Sequence, residues 1–231
     1  MPQKPLILLP GLLCDAALWQ HQTTHLADLC DVTVGNLTED SSISAIAERV
    51  LATGPDRFCL AGLSMGGYVA QEIMRQAPER VERLALVDTS ARPDTPEQTR
   101  TRRELIRLSK IGKFKGVTPR LLPNLIHPGR LHDPTVADVV LGMAARVGQE
   151  AFARQQAAIM TRVDGRGDLA AIRIPTLIIC GRQDLLTPPA LHQEMAVAIH
   201  GAKLLVVEDC GHLAPLERPV EVTAALRAWL M

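Results

Sequence analysis

The sequence predicts an α/β fold, a parallel sheet with helices on both faces. Three observations predict it. Short apolar runs recur along the chain at Pro5–Leu9, Asp31–Val34, Phe58–Ala61, Leu84–Val87, Thr176–Cys180 and Leu204–Val207. Most are continuously apolar, without polar alternation, which is the pattern of strands buried on both faces. The segments between them carry apolar residues at helical spacing, so strands and helices alternate.

Each element has its own signals. Pro5–Leu9 ends at Pro10-Gly11, which also breaks it as a signal peptide; no small-residue cleavage site follows. Asp31–Val34 is the weakest strand. Ser41 and Ser42 can cap a helix over Ser44–Ala52. After Phe58–Ala61, Gly66–Gln76 places Val69, Ala70, Ile73 and Met74 at helical spacing and stops at Pro78. Pro189–Ile199 opens with prolines, tolerated in a first turn, and stops near Gly201. Pro219–Leu230 sets Val222, Ala225, Leu226 and Trp229 on one face.

Between Asp88 and Ile174 no strand-like run occurs. Pro96–Ile111, Pro134–Arg146 and Gln149–Met160 read as helices, punctuated by Pro119, Pro123, Pro128 and Gly148. This stretch is expected to be a helical insertion into the α/β frame.

Chemistry concentrates at the ends of the strands. Gly62-x-Ser64-x-Gly66 lies between a buried strand and an amphipathic helix, the context a nucleophile elbow requires. The chain must reverse sharply there, and side chains two positions either side of the serine would clash, so glycine is needed. Met65, next in sequence, can offer its N–H at the helix start, where negative charge is favoured. A dinucleotide or phosphate loop fits less well, because neither GxGxxG nor GxxxxGK[ST] is present.

A serine hydroxyl needs an imidazole, and the imidazole a carboxylate. Of seven histidines, only His212 sits in a glycine-containing turn after a strand end. Two acids compete. Asp184 follows the fifth strand, in Gly181-Arg-Gln-Asp-Leu-Leu-Thr-Pro188; Asp88 ends the fourth. The order Ser64, Asp184, His212 is that of this elbow type and favours Asp184. The loop after the first strand can supply a second oxyanion donor, the Leu12 N–H.

Composition excludes other classes. The 231 residues hold 25 Lys and Arg against 25 Asp and Glu. Without a basic surplus, nucleic-acid binding is not expected. No apolar run approaches the roughly 20 residues of a membrane-spanning helix. Aromatic residues are only 3%, too few for stacking platforms. Five widely spaced cysteines suggest neither a disulfide framework nor a zinc site, and point to the cytoplasm.

Four motifs together carry a family resemblance: Leu9-Pro-Gly-Leu-Leu13, Gly62-Leu-Ser-Met-Gly-Gly67, Gly181-Arg-Gln-Asp-Leu-Leu-Thr-Pro188 and Cys210-Gly-His-Leu213. In order and spacing the chain resembles the α/β-hydrolase superfamily over nearly its whole length, and is most similar to small carboxylesterases and enol-lactone hydrolases. Pro10 departs from the histidine often found before the glycine. Family members often begin with two extra strands, whereas five residues precede Leu6 here.

The resemblance implies a six-stranded, all-parallel sheet. It implies a core of residues 1–91 and 167–231 and a helical cap of 92–166. Ser64 would be nucleophile, His212 base and Asp184 acid, with Leu12 and Met65 forming the oxyanion hole. It implies an esterase acting on a small-molecule ester without metal or other cofactor. A lactonase, of the 3-oxoadipate enol-lactonase kind, or a carbon–carbon bond hydrolase would use the same triad. A haloperoxidase-like enzyme or acyltransferase would keep it too, and a non-catalytic ligand receptor is the remaining class.

Three smaller motifs are read as structural. His21-Gln-Thr-Thr-His25 lacks the glutamate of a zinc protease and is expected to be a polar surface helix. Arg166-Gly-Asp168 is expected to be a loop, and Cys210-x-His212 finds no partner cluster for a metal. The low aromatic count suggests a pocket lined by leucine and methionine. Residues 92–166 hold 14 Lys and Arg against 7 Asp and Glu, so +7 in this segment opposes −7 in the rest. Solvated helix faces would explain this, as would steering of an anionic substrate. Arg100, Arg102, Arg103 and Arg107 share one expected helix.

Overall fold

The computed structural model describes residues 3–111 and 114–231. Its sheet has strands β1 (Lys4–Leu9), β2 (Cys30–Val34), β3 (Phe58–Leu63), β4 (Val81–Val87), β5 (Thr176–Gly181) and β6 (Lys203–Val207), all parallel, in the order β2-β1-β3-β4-β5-β6. Each expected strand is present, and all six are longer than the apolar run that revealed them. β3 and β5 are buried at every residue.

Alternation along the strands divides the core in two. Leu6, Leu8, Cys59, Ala61, Ala85 and Val87 point to one side, where α8 (Pro219–Leu230) packs with Val222 and Leu226. Ile7, Leu9, Leu60, Leu84 and Leu86 point to the other. There α2 (Ile43–Thr53), α3 (Met65–Gln76) and α6 (Pro189–Ala198) cover them. Ser42 caps α2, its side chain accepting the Ala45 N–H.

The stretch between β4 and β5 contains no strand among the described residues. It holds α4 (Pro96–Ser109) and α5 (Ala137–Met160), joined by short helical turns. Thr95 and Gln98 form a reciprocal capping box at the start of α4. Gly148 interrupts α5 with φ +76°, separating the two helices expected on either side of it. Pro134–Val136 precede the helix they were expected to open.

The helix α1 (Gln20–His25) is only partly a surface helix. His21 and His25 stack on its outer side, ring centroids 3.9 Å apart. Gln22 is fully buried and donates to the Pro215 carbonyl and the Thr223 hydroxyl. Among the described residues, no helix is long and apolar enough to cross a membrane.

Candidate active site

The strand ends of a parallel sheet emerge on one side, so loops distant in sequence converge there. The reversal after β3 places Ser64 at φ 53°, ψ −113°, a conformation non-glycine residues rarely adopt and one that recurs at functional sites. A Cβ on Gly62 would strike the backbone of Gly66, and one on Gly66 would strike Leu9. The two glycines of the motif are therefore steric requirements of this turn. Thr89, after β4, donates its hydroxyl to the Ser64 carbonyl at 2.8 Å and braces the turn from the other side.

Ser64, His212 and Asp184 form one hydrogen-bonded line. Ser64 Oγ lies 2.9 Å from His212 Nε2, and His212 Nδ1 lies 2.8 Å from Asp184 Oδ2. With the Nδ1 proton donated to the carboxylate, Nε2 is free to accept from the serine hydroxyl. Asp184 accepts further bonds from the Leu186 and Thr187 N–H groups and the Thr187 hydroxyl. Burial alone would raise its carboxyl; the neighbouring imidazole and the Thr187 donors hold it below the ordinary carboxylate range.

Asp88, the rival acid, is committed to the backbone. Its oxygens accept from the Gly181 N–H and the Ala214 N–H, both at 3.0 Å. Burial, reinforced by the Asp184 charge, pushes its carboxyl well above the usual range. Asp88 thus ties the end of β5, three residues before Asp184, to the turn two residues after His212.

Glu217, unnoticed in the sequence, does similar work. It is fully buried in α7 (Ala214–Glu217) and accepts from the N–H groups of Gly211 and Leu213, the two neighbours of His212. It also accepts from the His127 N–H, in the helical excursion. Burial raises its carboxyl and these donors oppose the rise. His192, passed over among the seven histidines, is fully buried in α6, and its Nε2 accepts the Thr89 N–H at 2.9 Å. Burial pushes its imidazole down to about 4, so it is neutral.

The loop after β1 bends at Leu13, φ 59°. The Leu13 N–H donates to Gln155 of α5, whose amide in turn donates to the Leu37 carbonyl. Among the described residues, the N–H groups of Leu12 and Met65 meet no protein acceptor. Leu12 and Ser64 share the wall of a cavity of about 530 Å³. Leu13, Leu125, Leu213 and Val140 make that wall aliphatic, and Phe152 and Tyr68 add two aromatic rings. The expected leucine lining is present, but among the described residues no methionine contributes. Cys14 also lines the cavity; burial pushes its thiol up to about 12, so it stays protonated. Among the described residues, no group of three or more His, Cys, Asp or Glu side chains is placed to hold a metal ion.

The profile of the alpha/beta hydrolase family matches residues 6–226. The chain belongs to this family. A pimeloyl-[acyl-carrier protein] methyl ester esterase of Neisseria meningitidis is 29% identical over 189 residues, covering 80% of this chain and 73% of that protein. Among solved structures, a thermophilic esterase from Thermogutta terrifontis superposes with a TM-score of 0.88 at 30% identity, covering 98% of this chain and 89% of that one. An enol-lactonase from Burkholderia xenovorans superposes with a TM-score of 0.84 at 25% identity, covering 99% and 92%. The alpha/beta hydrolase frame thus accounts for where the strand-end loops meet. Glu217 and Gln155, which hold those loops, lay outside every motif read in the sequence.

Proposed function

We propose that this alpha/beta hydrolase cleaves a carboxylic ester of a small molecule through an acyl-enzyme. The carrying observation is the unbroken line from Ser64 Oγ through His212 to Asp184, opening on an aliphatic cavity. Ser64 attacks the ester carbonyl while His212 takes its proton, and the Asp184 carboxylate stabilises the imidazolium. The tetrahedral oxyanion sits between the Leu12 and Met65 N–H groups, whose freedom from protein acceptors supports this role. The alcohol leaves with the proton from His212. Water then attacks the acyl carbon and gives a proton to His212, which passes it to Ser64 Oγ as the acid is released.

Residues 92–166 act in this reading as a cap over a core of 1–91 and 167–231. Their contribution of Val140, Phe152 and Gln156 to the cavity wall supports it. A lactone is the second reading. An internal ester passes through the same steps, and the likeness to an enol-lactonase favours it.

Hydrolysis of p-nitrophenyl butyrate, with a parallel panel of lactones and thioesters, tests the proposal. Turnover by the wild type that Ser64→Ala abolishes is the expected result. Ester cleavage surviving in Ser64→Ala would refute it, and turnover confined to lactones would select the second reading.

A further inference from the structure

Among the described residues, the cavity wall carries three arginines, Arg92, Arg102 and Arg162, and no Asp or Glu. Arg92 is neutralised at the surface by Glu194, with two hydrogen bonds of 2.9 and 3.1 Å. The other two converge on one carboxylate. Arg102 donates to Asp94 at 2.7 Å, and Arg162 Nη1 lies 2.7 Å from the other oxygen of the same group. The Asp94 side chain is 3% exposed, that of Arg162 8% and that of Arg102 20%.

Guanidinium groups remain charged at any physiological pH. Two of them against one carboxylate leave one positive charge in a wall that mixes leucine, valine and aromatic side chains with polar ones such as Ser90, Gln98, Asn124 and Gln156. A charge withdrawn from water is strongly disfavoured unless an anion meets it. Arg162 Nη1 is buried and its approach to Asp94 lacks hydrogen-bond alignment. The same guanidinium lies over the Tyr68 ring, 4.3 Å from its centroid. Tyr68 belongs to α3, the helix that starts directly after Ser64, so the surplus charge and the nucleophile share one rigid element.

A structural tie between α4 and α5 accounts for part of this. Arg102 also donates to Gln156, and Arg162 to the Arg92 carbonyl. That tie leaves the surplus positive charge without an anion. We propose that Arg102 and Arg162 form a subsite for a carboxylate on the substrate, so that the ester or lactone hydrolysed carries a free acid group. The proposal rests on Ser64 being the nucleophile of the same cavity, and narrows the substrate class.

The test is the ratio of kcat/KM for p-nitrophenyl hemiglutarate to that for p-nitrophenyl butyrate. The wild type is expected to favour the hemiglutarate. Arg102→Gln and Arg162→Gln should each lower the ratio about ten- to hundredfold, the worth of a hydrogen bond to a charged group. Asp94→Asn, which frees both guanidiniums, should raise it. A wild-type preference for butyrate, or a ratio indifferent to all three substitutions, would overturn the proposal. If the wild type hydrolyses neither ester, the ester reading fails, and calorimetric titration with glutarate decides the subsite separately. Binding that Arg162→Gln removes would support it, and no binding to the wild type would overturn it.

Discussion

The strand-end loops and the helical excursion between β4 and β5 meet at one cavity, but they are built differently. The loops that carry Ser64, Asp184 and His212 are short and held by buried carboxylates: Asp88 on Gly181 and Ala214, Glu217 on Gly211 and Leu213. The excursion combines a buried face with exposed pairs, such as Arg107 with Glu104, and presents Leu105, Leu108, Ile111 and Leu121 to solvent. In the proposed reaction the sheet fixes the geometry of bond breaking, and the excursion shapes what reaches it. Damage to the first should therefore appear in kcat, and damage to the second in KM and substrate choice.

The largest expected effect is loss of the proposed nucleophile. Ser64→Ala should lower kcat for a cleaved ester by roughly 10⁴- to 10⁶-fold with little change in melting temperature. Asp184→Asn should follow at about 10⁴-fold, because the amide can no longer hold the required tautomer of His212. Steady-state kinetics beside a thermal melt checks both.

Glu217→Gln sharpens the comparison, since Glu217 touches the loop and not the imidazole. Replacing one carboxylate oxygen by an NH₂ sets a donor against the N–H groups beside His212. A kcat loss of about 10²-fold is expected, with KM nearly unchanged, as for a small misplacement of a catalytic group. Equal loss in a variant of the excursion surface would break the division.

His192 gives a stability test. Its imidazole is held near 4 by burial, against about 6.5 in the unfolded chain. Between these values the unfolded chain binds the proton and the folded one does not, so stability falls as pH drops from about 6.5 toward 4. The contribution is present in full above the unfolded value and amounts to about 3 kcal/mol. The melting temperature of His192→Gln should therefore vary less over this window than that of the wild type. At the small end, Arg107→Gln should change neither kcat nor melting temperature measurably, because both partners of its ion pair are exposed.

Much of this site is legible in the sequence because its signals are local. Gly62 and Gly66 flank Ser64 for a steric reason that acts over four residues. Asp184 and His212 each lie within five residues of the end of an apolar run. Glu217, Gln155 and His192 gave no such signal. Gln155 reaches Leu13 across 142 positions, and the His192 imidazole meets Thr89 across 103. A buried polar side chain on a helix reads like any other helix residue until the fold brings its partner to it. Asp88 shows the converse. Its position at a strand end marked it as important, but only the Gly181 and Ala214 N–H groups reveal that it holds two loops together. The excursion was readable as helices, whereas the pairing of Arg102 and Arg162 on Asp94, separate from the exposed Arg100, Arg103 and Arg107, needed the folded chain.

The central claim is that His212 and Asp184 activate Ser64. The most direct measurement is covalent labelling by a serine-directed fluorophosphonate, followed by intact mass and peptide mapping. The account predicts one adduct per chain, on Ser64, absent in Ser64→Ala and formed far more slowly in His212→Ala. A folded wild type that takes no label, or takes it at another residue, would contradict it.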